Sequence, residues 1–80
     1  MLPELGATLW LAICQVESSN DPKAHNIKED ARGIAQIRAC VIEDVNMILA
    51  QRKVGLVYGH DAAWYPEAAK AIASLGLIFG

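Results

Sequence analysis

The chain has 80 residues, of which 54% are hydrophobic and 20% are charged, and its formal net charge is −2 at pH 7. A chain of this length predicts one small domain, residues 1–80, with limited capacity to bury surface. The seven basic residues are scattered, which argues against a nucleic-acid-binding protein, because such proteins concentrate Lys and Arg in one patch. No run reaches the roughly 18 consecutive apolar residues of a membrane-spanning helix, so no transmembrane segment is expected.

The first predicted element is a helix over residues 3–17, where Pro3 and Glu4 suit the first turn. Between residues 5 and 16 the sequence is apolar almost throughout, and such a helix is normally enclosed by the rest of its domain. Glu17 follows at the C-terminal end, where the helix dipole and poor solvation both disfavour a charged carboxylate. We therefore expect the pKa of Glu17 to be raised, as a general acid requires. The apolar positions recur at helical spacing: Leu5, Leu9, Ala12, Ile13 and Val16.

Residues 18–32 are polar, rich in turn-forming residues and without apolar periodicity, which predicts a long loop. Loops of this length in a small domain are usually functional or disordered. The charged residues in it, Asp30 and Arg32 among them, are expected to be solvated. His25 here and His60 further on are isolated in sequence, so no metal site is expected.

A second helical pattern follows Gly33 and is carried by Ile34, Ile37, Val41, Val45 and Ile48. Asp44 falls on this apolar face, so we expect it to be tied internally to a backbone N–H or a basic side chain.

Residues 53–64 are predicted to be a second connection, and Pro66 begins a third helix that Gly76 could end. The apolar tail, residues 77–80, is expected to pack against something, and self-association is one way to cover it.

The two cysteines, Cys14 and Cys40, are too few for a disulfide framework. Cys14 falls within the first helix and is most simply a small core residue. A Cys14–Cys40 disulfide is the alternative if the two helices touch in an oxidising compartment.

An ordered pattern links the first helix to the second. Glu17-Ser18-Ser19 is followed by Pro22, Ala24 and Asn26 and then by Ala31-Arg32-Gly33-Ile34-Ala35-Gln36-Ile37. This pattern resembles the lysozyme-like lytic transglycosylases with the soluble-lytic (SLT) catalytic domain, over roughly residues 9–49. The resemblance implies an all-α, small lysozyme-like helical domain with three main helices and a long functional loop between helices one and two.

The resemblance also implies roles for individual residues. Glu17 would be the single catalytic acid and base, and Ser18 would orient it or the sugar. Gly33 would let the backbone approach the glycan, Gln36 would hydrogen-bond a sugar substituent, and Ile37 completes the substrate-binding motif. The implied substrate is peptidoglycan, cut between N-acetylmuramic acid and N-acetylglucosamine to leave an anhydro sugar. No cofactor or metal is implied. The site of action would be the cell wall or periplasm, although no export signal is recognisable in this sequence.

The residues also allow other interpretations. Glu17 could be a helix-end carboxylate without chemistry, and Gln36 could be an ordinary residue in the first turn of helix two. Trp64 could stack on a sugar or belong to the core. Arg32 and Lys28 could meet the carboxylates of peptidoglycan stem peptides instead of being solvated, and Asp44 could support the cleft instead of being tied internally. No segment after Gly59 matches the Tyr-Asn-Ala-Gly-like motif that usually completes the family's cleft. The alternative function is therefore a catalytically incomplete lysozyme-like protein that binds glycan or has a structural role.

Overall fold

Three α-helices dominate the computed structural model, which describes residues 2–80. They are α1 (Ala7–Ser18), α2 (Ala39–Gln51) and α3 (Pro66–Phe79), and a short 3-10 helix (His60–Trp64) precedes α3. Two strands, β1 (His25–Asn26) and β2 (Ala31–Arg32), pair antiparallel between α1 and α2 in the chain. The prediction of a small, mostly helical domain with three main helices is confirmed. The domain is not strictly all-α, because it contains this small sheet.

The core lies where α2 packs on α3 and where α3 packs on the 3-10 helix. Each of the two long helices contributes a stripe of buried residues at helical spacing. The fully or nearly fully buried residues of the core are Ile37, Ile42, Val45, Leu49, Ala63, Ala69, Ile72 and Leu75. The small residues among them let the backbones approach closely, and the stripe of α2 is rotated by about one residue from the predicted face.

Helix α1 is less enclosed than predicted. It begins at Ala7, after an extended Gly6, and Cys14 is its buried residue. Leu11 is 60% exposed and Val16 82% exposed, so the expectation of a helix covered on all sides is wrong. The reason is that α2, α3 and the 3-10 helix bury their apolar residues against one another. Only a stripe of α1 that includes Trp10 packs against their core.

Two hydrogen bonds hold the ends of α1 to the rest of the domain. Before the helix, the backbone N–H of Leu5 donates to Oγ of Ser74 on α3 at 3.0 Å. At the last residue, Oγ of Ser18 donates to the carbonyl oxygen of Ile34 at 2.7 Å. The part of α1 that carries Ile13 and Glu17 faces α2 and α3 across a gap, and this gap becomes the groove described below.

The predicted loop, residues 18–32, contains the two strands, with His25 opposite Arg32 and Asn26 opposite Ala31. Ile37 then pairs back to Arg32, with N···O distances of 2.9 and 3.0 Å. Residues 34–37, which periodicity assigned to helix two, are therefore a turn and a bridge. A helix cannot run through this segment, because Gly33 has φ +78° and Gln36 has φ +51°.

The C-terminal part of the chain is more helical than predicted. α3 continues through Gly76 to Phe79, so Gly76 does not end the helix. Leu77 and Ile78 are 63% and 44% exposed, whereas the ring of Phe79 is covered by the guanidinium of Arg52 at 3.7 Å. None of the helices within residues 2–80 combines the length and apolar character needed to cross a membrane.

Candidate functional site

An open groove of about 470 Å³ runs between α1 on one side and α2 and α3 on the other. Its polar side chains are those of Glu17 on α1, Gln36 and Arg38 on the turn before α2, and Asp44 on α2. Its apolar lining includes Ile13, Ala35, Ile37, Val41, Ala73 and Leu77. A mostly apolar concavity with a few polar groups is the usual form of a ligand site.

Glu17 lies one residue before the end of α1 and projects into this groove. Its side chain is exposed, and it forms no ion pair within residues 2–80. The burial expected around this carboxylate is therefore absent from the free protein, because α1 is covered only along one stripe, although apolar side chains line the groove beside it. The prediction that Glu17 is a poorly solvated acid is wrong for the free protein.

Ser18 fixes the backbone next to Glu17. Its Oγ lies 2.7 Å from the carbonyl oxygen of Ile34 and 3.2 Å from that of Cys14, and it accepts the backbone N–H of Asp21 at 3.1 Å. The hydroxyl is thus fully used within the protein, and Ser18 does not line the groove. These hydrogen bonds hold the backbone at the end of α1 and leave the hydroxyl group of Ser18 no free donor for a sugar.

Gly33 permits a close approach between two backbone segments. It is buried, and a Cβ added to it would lie 1.9 Å from the carbonyl oxygen of Ala63 in the 3-10 helix. Its own N–H donates to the carbonyl oxygen of Ala24 at 2.8 Å. The space that a side chain would fill is therefore occupied by the protein itself, and Gly33 lies outside the groove lining.

Gln36 holds the turn together and also lines the groove. Its Nε2 donates to the carbonyl oxygens of Ala24 at 3.0 Å and Gly33 at 2.9 Å. The amide oxygen takes no part in these bonds and can accept a hydrogen bond from a ligand. Gln36 lies before α2, which begins at Ala39, so the interpretation of Gln36 as a first-turn residue of helix two is wrong. The side chain of Ile37 is buried in the core at the base of the groove.

Asp44 and Arg38 line the groove but were not among the predicted site residues. The helical wheel placed Asp44 beside Val41, and both line the groove. The expected internal tie is absent, because Asp44 is exposed and makes no ion pair within the described chain. Val41 is partly buried against the core, whereas Asp44 on the same side of α2 is exposed at the groove. Helical periodicity does not distinguish a packed position from one that borders a cavity.

A second polar cluster surrounds Asp30 on the hairpin, outside the groove. Arg32 donates Nε and one Nη to the two carboxylate oxygens of Asp30 at 3.0 and 3.1 Å, and its other Nη to Asp61 at 2.8 Å. His25 lies 2.7 Å from Asp30, and His60 Nδ1 lies 3.7 Å from it. The hydrogen bond from Arg32, followed by that from His25, lowers the pKa of Asp30 to about 2.

This cluster corrects the expectation that these side chains are isolated, although His25 and Asp61 remain exposed to solvent. The antiparallel pairing of β1 with β2 places His25 opposite Arg32, which a one-dimensional pattern does not reveal. His60 also bonds the carbonyl oxygen of Ile37 at 2.7 Å through Nε2. Trp64 meets the ring of His25 edge-on at 5.3 Å and lies outside the groove lining.

Neither cysteine is part of a disulfide: Cys14 is buried and free, and Cys40 is exposed and free. The alternative of a Cys14–Cys40 bridge is therefore wrong. Burial raises the pKa of the Cys14 thiol. In the described part of the chain, no three His, Cys, Asp or Glu side chains are grouped as metal ligands would be.

Comparison with protein-family models, with curated proteins and with solved structures gives no match to this chain.

Proposed function

We propose that this protein cleaves peptidoglycan as a lysozyme-like lytic transglycosylase, with Glu17 as the catalytic acid and base. One observation carries the proposal: Glu17 and Gln36, which the sequence pattern nominated for catalysis and sugar binding, line the same open groove. The groove volume of about 470 Å³ falls in the range of roughly 300–1,000 Å³ that is typical of ligand sites.

In the proposed first step, Glu17 donates a proton to the oxygen of the glycosidic bond as that bond breaks. A glycan lying in the groove would exclude water from this exposed carboxyl group, which favours its protonated form. The carboxylate produced then takes the proton from a muramyl hydroxyl as that hydroxyl attacks the anomeric carbon. The attack closes the anhydro ring, so Glu17 regains its proton without a second carboxylate.

The remaining lining residues fit a sugar ligand. Ile13, Val41 and Leu77 offer apolar surface to the faces of the rings, and the amide oxygen of Gln36 can accept from a hydroxyl or acetamido N–H. The bonds from Gln36 to Ala24 and Gly33 hold its side chain in place before a ligand arrives. Such preorganisation reduces the entropy lost on binding.

The proposal is tested by incubating purified cell walls with wild-type protein and with the Glu17→Gln variant. We expect release of soluble fragments by the wild type and a loss of about 100-fold or more in the variant, since acid–base catalysis contributes roughly 10²–10⁴-fold. Glu29→Gln removes an equally exposed carboxylate outside the groove and serves as the matched control. Mass spectrometry should find anhydro ends, and equal release by wild type and Glu17→Gln would refute the proposal.

A second candidate is a glycan-binding protein without catalysis. The exposure of Glu17 in a groove that is open along one side favours it, because an acid that remains solvated beside its ligand has little power to protonate a leaving group. This candidate predicts that the wild type sediments with cell walls while no soluble fragments appear.

A further inference from the structure

Arg38 is the basic side chain of the groove. It immediately precedes α2 in extended backbone, its side chain is exposed, and it shares the groove with Glu17 and Asp44. Every other side chain of the lining is apolar, acidic or an amide. A ligand in this groove therefore meets one positive charge, and its position is set by the turn that also carries Gln36.

The positive charge of Arg38 is not neutralised by the protein. Within residues 2–80 it makes no ion pair with Glu17, with Asp44 or with any other acid. The arginine donors in the side-chain hydrogen bonds all belong to Arg32, which Asp30 and Asp61 occupy. The five donors of the Arg38 guanidinium thus remain available to a ligand.

A neutral glycan could bind in the groove without the positive charge of Arg38, whereas an anionic glycan would need that charge. Asp44, and Glu17 while it is ionised, repel a further negative charge in the groove, so an anionic strand would bind weakly unless a cation offset that repulsion. Muramyl residues carry a lactyl group whose carboxylate is either free or amide-linked to a stem peptide with carboxylates of its own. A guanidinium recognises such a planar carboxylate through two parallel hydrogen bonds.

We propose that Arg38 binds a carboxylate on the glycan strand and makes the groove select anionic over neutral glycans. The inference deepens the proposed function, on which it rests for the identity of the glycan. It assigns Arg38 to substrate specificity, not to the proton transfers at Glu17.

The test uses two soluble carboxylate substrates, which are muramyl oligosaccharides with free lactyl carboxylates and the same strands carrying stem peptides. The methylamide derivative of each, with all its carboxylates converted, gives four substrates in all. We expect Arg38→Gln to raise KM about tenfold on the carboxylate substrates with kcat changed less than twofold, and to leave the methylamides unaffected. For Arg38→Lys on the carboxylate substrates we expect a KM between those of the wild type and Arg38→Gln, because lysine keeps the charge but loses the paired hydrogen bonds. Lys23→Gln removes an exposed charge outside the groove and should match the wild type.

The comparison between the first two substrates identifies the source of the carboxylate. A larger effect on peptide-free strands assigns Arg38 to the lactyl group, and a larger effect on peptide-bearing strands assigns it to the stem. Equal losses on carboxylate and methylamide substrates would overturn the inference, as would a wild type that cleaves both equally well.

Binding separates this inference from the proposed function. Calorimetric titration of the Glu17→Gln variant with the same substrates should show the same preference for carboxylates, and adding Arg38→Gln should abolish it. If the wild type cleaves nothing but this preference is found, the enzymatic proposal fails and the role of Arg38 stands. If binding is equal for charged and methylamide strands while cleavage occurs, the enzyme stands and the role of Arg38 fails. Circular dichroism on each variant checks that the fold is unchanged.

Discussion

Replacing Gly33 with alanine tests the junction that positions the Gln36 turn. In Gly33→Ala the new Cβ would lie 1.9 Å from the carbonyl oxygen of Ala63 and 2.8 Å from its carbonyl carbon. Both are backbone atoms, so the hairpin turn and the 3-10 helix would have to move apart. Gly33 also has φ +78°, a conformation that alanine adopts only with strain.

The expected cost has two parts. The left-handed backbone conformation costs alanine about 1–2 kcal/mol, and forcing an extra carbon into a packed region costs about 1–3 kcal/mol. The sum, about 2–5 kcal/mol, is a large share of the roughly 4–12 kcal/mol of total stability that a domain of this size has at about 0.05–0.15 kcal/mol per residue. Gly33→Ala should therefore be strongly destabilised or unfolded.

Urea unfolding followed by circular dichroism measures this difference. Gly59→Ala is the matched control, because Gly59 has φ −93° and nothing lies within 4 Å of an added Cβ. We expect the control to change the free energy of unfolding by less than about 1 kcal/mol in either direction. A Gly33→Ala variant as stable as Gly59→Ala would show that the turn and the 3-10 helix are not in contact in solution.

Two further predictions concern carboxylates in different settings. If catalysis needs one carboxylate, Asp44→Asn should still cleave the glycan. It should also bind anionic glycans more tightly than wild type, because the substitution removes a repelling charge from the groove. The control Glu43→Gln, which changes a carboxylate outside the groove, should behave as wild type. A loss of cleavage in Asp44→Asn as large as that in Glu17→Gln would refute a single-carboxylate mechanism. Because the pKa of Asp30 falls from its usual 3.8 to about 2, its stabilising contribution is complete above about pH 4 and is lost as the pH falls through about 2. Melting temperatures measured from pH 5 to 2 should therefore fall less steeply for Asp30→Asn than for wild type, and identical slopes would contradict the ion pairing.

Local sequence patterns predicted the helices well where packing follows a helical stripe. The stripe of α2 buries Val45, which the periodicity had placed on the apolar face of that helix. The start of α2 was mispredicted because Ile34 and Ile37 happen to continue the same period. What separates them from the helix is the left-handed backbone at Gln36, which its own side chain stabilises by bonding two carbonyl groups, and hydropathy does not encode this.

Contacts between segments that are distant in the sequence explain most of the remaining differences between the predictions and the structure. The cluster around Asp30 exists because strand pairing brings together His25 and Arg32, and because the 3-10 helix adds Asp61 from much later in the chain. The exposure of α1 likewise depends on how much apolar surface the other helices leave uncovered. Composition along the chain specifies neither the strand pairing nor the amount of α1 surface that the other helices cover. The order of Glu17 and Gln36 in the sequence was nevertheless enough to nominate two residues that share the groove.

The attachment of α1 at its two ends affects how the domain responds to heat. The core formed by α2, α3 and the 3-10 helix is largely complete without α1, so detachment of this one helix is a local unfolding event that leaves the core intact. Such an event would remove one wall of the groove and displace Glu17 while most of the helical signal persists. Thermal disruption of the groove should therefore begin below the melting temperature of the core, and Ser18 and Ser74, which form the two attachments, would set the interval between the two temperatures.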